Sequence, residues 1–257
     1  MITLLRYFGL PPNYSVQGAE IDQMIVWVHW LMLILFVGWG TFFIYTLFRY
    51  RRSKNPKADY IGVKRHYTKY AEIGVVCFEA LLLIGFAFPA WANRVREVPP
   101  EEGAVVVRVV AEQFVWNIHY PGADGMFGEA DINRIDPQTN PLGLDRSNAG
   151  VDDIVTINQL HLPVNRPIVI HLTSKDVIHS FSLPVMRVKQ DAIPGMSIPV
   201  LFEATETGEW EIACAQLCGL GHYRMRGFLT IETGLAFEDW LAEQAAELEE
   251  EGGEWWE

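Results

Sequence analysis

Residues 214 to 225 read Cys214-Ala-Gln216-Leu-Cys218-Gly-Leu-Gly-His222-Tyr-Arg-Met225, so four of twelve side chains are thiols, an imidazole or a thioether. Such soft and borderline ligands suit copper, whereas carboxylates and carbonyls would suit calcium or magnesium. Two of the chain's three cysteines lie in this stretch. A mononuclear blue-copper site needs one Cys, two His and a weak Met, and here there is one thiol more. Cys-x-x-x-Cys on a tight loop lets both sulfurs face one point, where two thiolates can bridge two copper ions. The spacing points to a dinuclear, thiolate-bridged copper centre that still lacks one imidazole. A Cys214 to Cys218 disulfide and a zinc site are the competing readings: extracytoplasmic cysteines often pair, and Cys/His spacing alone does not separate zinc from copper.

The candidate for the missing imidazole is His179 in Asp176-Val-Ile-His179-Ser-Phe181, between strand-like runs at Ile168 to Ser174 and Ser197 to Ala204. His171 competes, although its alternation with Ile168, Ile170 and Leu172 puts it on the opposite face of its strand from those apolar residues. His161, in Leu160-His161-Leu162-Pro163, stays open by pattern alone.

The order of motifs resembles subunit II of the haem-copper oxidases, the cytochrome c oxidase subunit that carries the dinuclear CuA centre. The Asp176 to Phe181 segment, an Asp-Ala-Ile-Pro-Gly segment at Asp191 to Gly195, and Cys-x-x-x-Cys-x-x-x-His-x-x-Met at Cys214 to Met225 occur in the family's order. The resemblance covers nearly the whole chain. It implies His179, Cys214, Cys218, His222 and Met225 as side-chain copper ligands, with Gln216 donating its backbone carbonyl. Many members have Glu where Gln216 stands, and that carboxylate also helps hold a magnesium ion against subunit I. A carbonyl ligand survives any side chain, but the magnesium contact is put in doubt.

Two apolar segments must anchor this site. Met24 to Phe48 runs 25 residues without a charge, and Ile73 to Ala92 runs 20 residues with only Glu79. Each can cross a hydrocarbon core of roughly 30 Å at about 1.5 Å per residue, which predicts a helical hairpin. The first run is too long for the apolar part of a signal peptide and has no small-residue cleavage site after it. Residues 49 to 70 hold eight Lys and Arg against Asp59, so this loop lies inside and both chain ends lie outside. A nucleic-acid-binding role for these charges does not fit between two spans.

Glu72 and Glu79 are two helical turns apart and share a face. Carboxylates in a span mark function by default, and the pair suggests a proton route into a neighbouring subunit. By the resemblance, Glu72 stands at the mouth of the K-type proton channel, while Glu79 falls where many members have proline and receives no role. Cys77 reads as packing.

From Ala104 the composition turns to short β-rich runs, at 104–110, 113–119, 154–157, 167–174, 197–204, 209–213 and 227–231, with Gly, Pro and Asn between them. This predicts a β-sandwich or barrel; the resemblance implies a cupredoxin-like Greek key. The fold class is thus a membrane α-helical hairpin plus all-β. We divide the chain into a lead at 1–20, a hairpin at 21–95 with spans of about 24–48 and 73–92, a copper domain at 96–233, and an acidic C-terminal helix and tail at 234–257. Phe237, Trp240, Leu241 and Leu248 recur at helical spacing within that last segment.

Gln113-Phe114-Val-Trp116 matches a family pattern whose first aromatic, usually tryptophan, is the point where an electron arrives from cytochrome c. Here Phe114 and Trp116 are the candidates for it. Residues 121–153 form a long Gly-, Asp- and Asn-rich excursion that could serve as an acidic docking surface. Residues 93–257 hold 11 Lys plus Arg against 27 Asp plus Glu, a balance of −16 within an overall charge of −12. Such a domain steers a cationic partner, and a basic c-type cytochrome is one.

The family implies electron relay to the haem of subunit I of a proton-translocating terminal oxidase, with subunit III as a further partner, no oxygen chemistry on this chain, and the copper domain on the periplasmic side of a bacterial cytoplasmic membrane. No Cys-x-x-Cys-His occurs in the sequence, which excludes a covalent haem c within it. A copper subunit of a nitrogen-oxide reductase and a structural subunit of a quinol oxidase are the alternatives; the intact Cys/His/Met set opposes the second.

Overall fold

The computed structural model describes residues 2–57, 60–61, 66–89, 91–92 and 103–254, with backbone only for 249–254. Asp59, Lys64 and Arg65 of the basic loop, the 95/96 boundary, the Pro99-Pro100 break and the last three residues lie outside them. The chain divides into two compact units, residues 24–98 and residues 1–23 with 99–257.

The first unit holds most of helix α2 (Gly18–Arg49) and all of α3 (Tyr67–Leu82). Helix α2, and the helix that runs from Tyr67 through Ala87, are long and apolar enough to cross a membrane, and Trp27 meets Phe86 with ring centroids 5.4 Å apart. Asn55 Nδ2 donates to the Arg49 carbonyl and closes the end of α2. After Leu82 the helix widens into a π-turn over Leu83–Ala87. Glu72, Cys77 and Glu79 are exposed on α3.

The second unit is a two-sheet sandwich. One sheet has the order β3-β2-β1-β5-β8 and the other β4-β10-β9-β6-β7, with β1 Val105–Glu112, β2 Val115–Tyr120, β3 Ile154–Ile157, β4 Gln159–Pro163, β5 Pro167–Ser174, β6 His179–Leu183, β7 Val188–Ala192, β8 Ile198–Glu203, β9 Gly208–Cys214 and β10 Arg226–Glu232. Strand β1 alternates strictly, sending Val105, Val107, Val109 and Ala111 inward, as a strand with one buried face must. They meet Trp116, Ile118, Ile170 and Leu172 from the same sheet and Leu160, Phe181, Ile212 and Leu229 from the other in one core. Helix α4 (Gly234–Glu254) closes one side by burying Phe237 and packing Trp240, Leu241 and Ala245 on it.

The lead holds a short helix α1 (Ile2–Tyr7), and its second half belongs to the sandwich unit. Ser15 bridges to Ala204, Tyr14 packs on Trp210, and Ser15 Oγ accepts the Gly18 N–H while donating to Met186 O at 2.7 Å. Helix α2 therefore begins six residues before the apolar run does. The Arg187 guanidinium pairs with Asp22 at 2.6 Å, both side chains nearly buried.

Candidate metal centre

Four segments bring their donors together. His179 opens β6, Cys214 ends β9, Cys218 follows in the loop, and a 3-10 turn at His222–Arg224 leads into Met225 and β10. Pairing of β6 with β9 sets Phe181 opposite Cys214, which brings the imidazole beside the thiols. The Sγ atoms of Cys214 and Cys218 lie 3.8 Å apart. His179 Nδ1 is 3.9 Å from Cys214 Sγ and 3.2 Å from Met225 Sδ. His222 Nδ1 is 3.6 Å from Cys218 Sγ, and Met225 Sδ is 3.7 Å from the same sulfur. The Gln216 carbonyl approaches Cys214 Sγ at 3.3 Å.

These separations match the edges of a coordination polyhedron, since metal–ligand bonds of about 2.0–2.3 Å set tetrahedral edges of roughly 3.3–3.8 Å. Six donors are more than one closed tetrahedral zinc site takes, and the thioether favours copper. Both cysteines are free thiols. Among the described residues, His179, Cys214 and Cys218 form the one group of three whose ligand atoms all lie within 4.8 Å of one another.

Protonation fits a cation in the same place. Burial, and then the neighbouring Cys214, push the Cys218 thiol up to about 11, so bringing a positive ion between the sulfurs relieves the cost of ionising them. His179 is fully buried, and its Nε2 lies 2.9 Å from Asp176 Oδ1. A proton on Nε2 donated to that carboxylate leaves the Nδ1 lone pair facing the sulfurs. Burial pushes the Asp176 carboxyl up, but hydrogen bonds from His179 and from the Gln113 and Val177 N–H groups outweigh it and hold the group below its usual range.

The remaining candidates lie around the donor group or away from it. Trp116 is fully buried, edge-on to His179 and Phe181. Phe114 is half-buried over the metal loop, where Cβ atoms added at Gly219 and Gly221 would come within 3.2 and 2.4 Å of its ring. His171 faces the outer side of β5, and His161 stacks on Trp240 at 4.1 Å beside Glu232; neither belongs to the donor group. Glu72 lies on the hairpin. Asp176 and Gln113 touch the donor group but received no role from the motifs in which they stand, because their contacts arise only once the loops meet.

A rim of Val177, Ile178, Leu217, Leu220 and Tyr223 is exposed around the centre. Residues 121–153 pack across the outer face of the first sheet. There Asp153 accepts from His119 at 2.5 Å and from the Gly128 N–H, and burial holds the His119 imidazole below its usual range despite that carboxylate.

The family profile of the cytochrome c oxidase subunit II periplasmic domain matches residues 105–231. The alternative cytochrome c oxidase subunit 2 of Bradyrhizobium diazoefficiens is 33% identical over 233 residues, covering 90% of this chain and 82% of that protein. Cytochrome c oxidase subunit 2 of Cereibacter sphaeroides is 28% identical over 256 residues, covering 92% and 80%. The crystal structure of the periplasmic domain of subunit II of cytochrome oxidase from Bradyrhizobium japonicum shares 28% identity over 59% of this chain and 99% of that chain, with a TM-score of 0.44. The chain, a helical hairpin joined to a cupredoxin-like domain with a thiol–imidazole–thioether cluster, belongs to the cytochrome c oxidase subunit II family of the haem-copper oxidases.

Proposed function

We propose that this subunit accepts electrons from a c-type cytochrome at a dinuclear copper centre and passes them to the haem of subunit I, in a proton-translocating terminal oxidase of a bacterial cytoplasmic membrane. The observation that carries the reading is the pair of thiols at 3.8 Å flanked on each side by an imidazole. Copper held by these donors would supply one-electron transfer with little rearrangement of its surroundings.

The chain's own residues supply the rest. His179, Cys214, Cys218, His222, Met225 and the Gln216 carbonyl would hold the metal. Asp176 orients His179 and fixes its tautomer. Trp116 and Phe181 shield the inner side from water, and the fixed donor set keeps reorganisation small, as a relay requires. Phe114, at the surface over the loop, is the residue we assign to the arriving electron, with Trp116 behind it. Gln216 offers no carboxylate to a magnesium ion. Glu72 is assigned to the mouth of the proton channel in subunit I.

The acidic outer domain selects a basic donor. The test is stopped-flow mixing of the copper-loaded chain with a reduced basic c-type cytochrome at increasing salt. Rapid oxidation of the cytochrome, slowing steeply as ionic strength rises, is expected. No electron transfer at low salt would contradict the reading.

A further inference from the structure

We propose that Gln113 is a positioning residue that braces the metal loop against the His179 segment, an inference that rests on the copper reading above. Gln113 touches both ligand-bearing segments at once. Its main-chain N–H donates to Asp176 Oδ2 at 2.7 Å, and the other oxygen of that carboxylate faces His179 Nε2. Its side-chain Nε2 donates to the Cys218 carbonyl at 2.5 Å. One residue therefore links the partner of one imidazole to the backbone of one thiol.

The loop needs such a brace. Its start is held by the Ala215 N–H donating to Ser180 O at 2.9 Å, and its end by the His222–Arg224 turn. Between them Leu220 is exposed, so apart from the Phe114 ring over Gly219 and Gly221 little packing fixes the segment that separates Cys218 from His222. The Gln113 side chain attaches at its middle. Gly219, at φ +136°, lets the brace come close: a Cβ there would sit 2.7 Å from Gln113 Nε2. The brace is itself anchored from behind, since Lys175 Nζ donates to Glu112 Oε2 at 2.6 Å and to Pro141 O at 2.8 Å, while its N–H donates to Ala111 O.

Removing the side-chain donor leaves all six metal donors and the Asp176 contact in place, because the main-chain N–H remains. Loss of an outer partner of a metal ligand typically weakens metal affinity about 10- to 100-fold. The test uses the full chain in detergent, loaded with copper, as wild type, Gln113→Leu and Gln113→Glu. A wild-type chain that binds no copper sinks the copper reading and the brace with it.

With the wild type loaded, both variants are expected to surrender copper to a competing chelator about tenfold more readily and to show an altered hyperfine pattern. Thermal unfolding of the copper-free chain should stay unchanged. The brace is overturned if Gln113→Leu keeps copper within about twofold of wild type with the same spectrum. It is equally overturned if Gln113→Glu, of the same length but without the donor, behaves as wild type, or if the copper-free variants unfold as much earlier as the loaded ones.

Discussion

Cys218 is the residue on which the chemistry turns: buried, beside a second thiol, and costly to ionise until a cation arrives. Its neighbours Cys214, His222 and Met225 are legible in one line of sequence because a loop keeps them close whatever the fold does. His179 is legible only as a candidate among three, since its place depends on how β6 pairs with β9. Two substitutions test the account at this scale. Asp176→Asn keeps the shape but removes the charge that orients His179, and should weaken copper binding about 10- to 100-fold with the metal stoichiometry kept, as read by chelator competition. Gly221→Ala would drive a Cβ to 2.4 Å from the Phe114 ring. Overpacking of this kind costs about 1–3 kcal/mol, and the melting temperature of the loaded chain should fall accordingly, while unchanged melting would mean the ring moves aside freely.

At the scale of elements, β1 and β5 announce themselves by alternation and β-branched residues, whereas β4, β6 and β7 do not. β4 and β7 are the edges of their sheet, and edges tolerate the proline of Gln159–Pro163 and the charges of Val188–Ala192. β6 is five residues alternating with serine, too short and polar to read as a strand before its partners are known. Helix α2 is longer than its apolar run because Ser15, docked on Met186, starts it early.

The Arg187–Asp22 pair that ties this start to the sandwich is nearly buried, so Arg187→Ala should cost about 3 kcal/mol. The loss should show as faster hydrogen exchange at Tyr14, Val16 and Thr205, whose N–H groups bond across this junction. Residues 121–153 give a pH prediction. The Asn133 N–H holds the Asp131 carboxyl below the usual 3.8; the Thr139 N–H does the same for Asp136, and the Ser147 hydroxyl for Asp145. Each folded value lies below the unfolded one, so the stabilisation is whole above 3.8 and is lost as pH falls through the lower folded values. Exchange protection at Asn133, Thr139 and Ser147 should hold near pH ~5 and fail only below about 3.8.

The whole molecule separates its charges. Basic residues end and follow α2 at Arg49, Arg51, Arg52, Lys54 and Lys57, while the sandwich and its C-terminal helix are strongly acidic. The first arrangement is the charge bias that orients membrane hairpins, and the second would steer the cationic donor proposed above. Both are legible from composition, because they depend on counts within segments rather than on contacts. How the loops converge on one metal site is not, because that follows from sheet pairing across the sandwich.

As proposed above, Cys214 and Cys218 would hold two copper ions between them. The most direct measurement is copper content together with the electron-spin resonance hyperfine pattern of the loaded full chain. About two copper ions per chain with the electron divided equally between two copper nuclei is the predicted result. One copper with a single-nucleus pattern would contradict the account, as would a loaded chain whose spectrum survives Cys218→Ser unchanged.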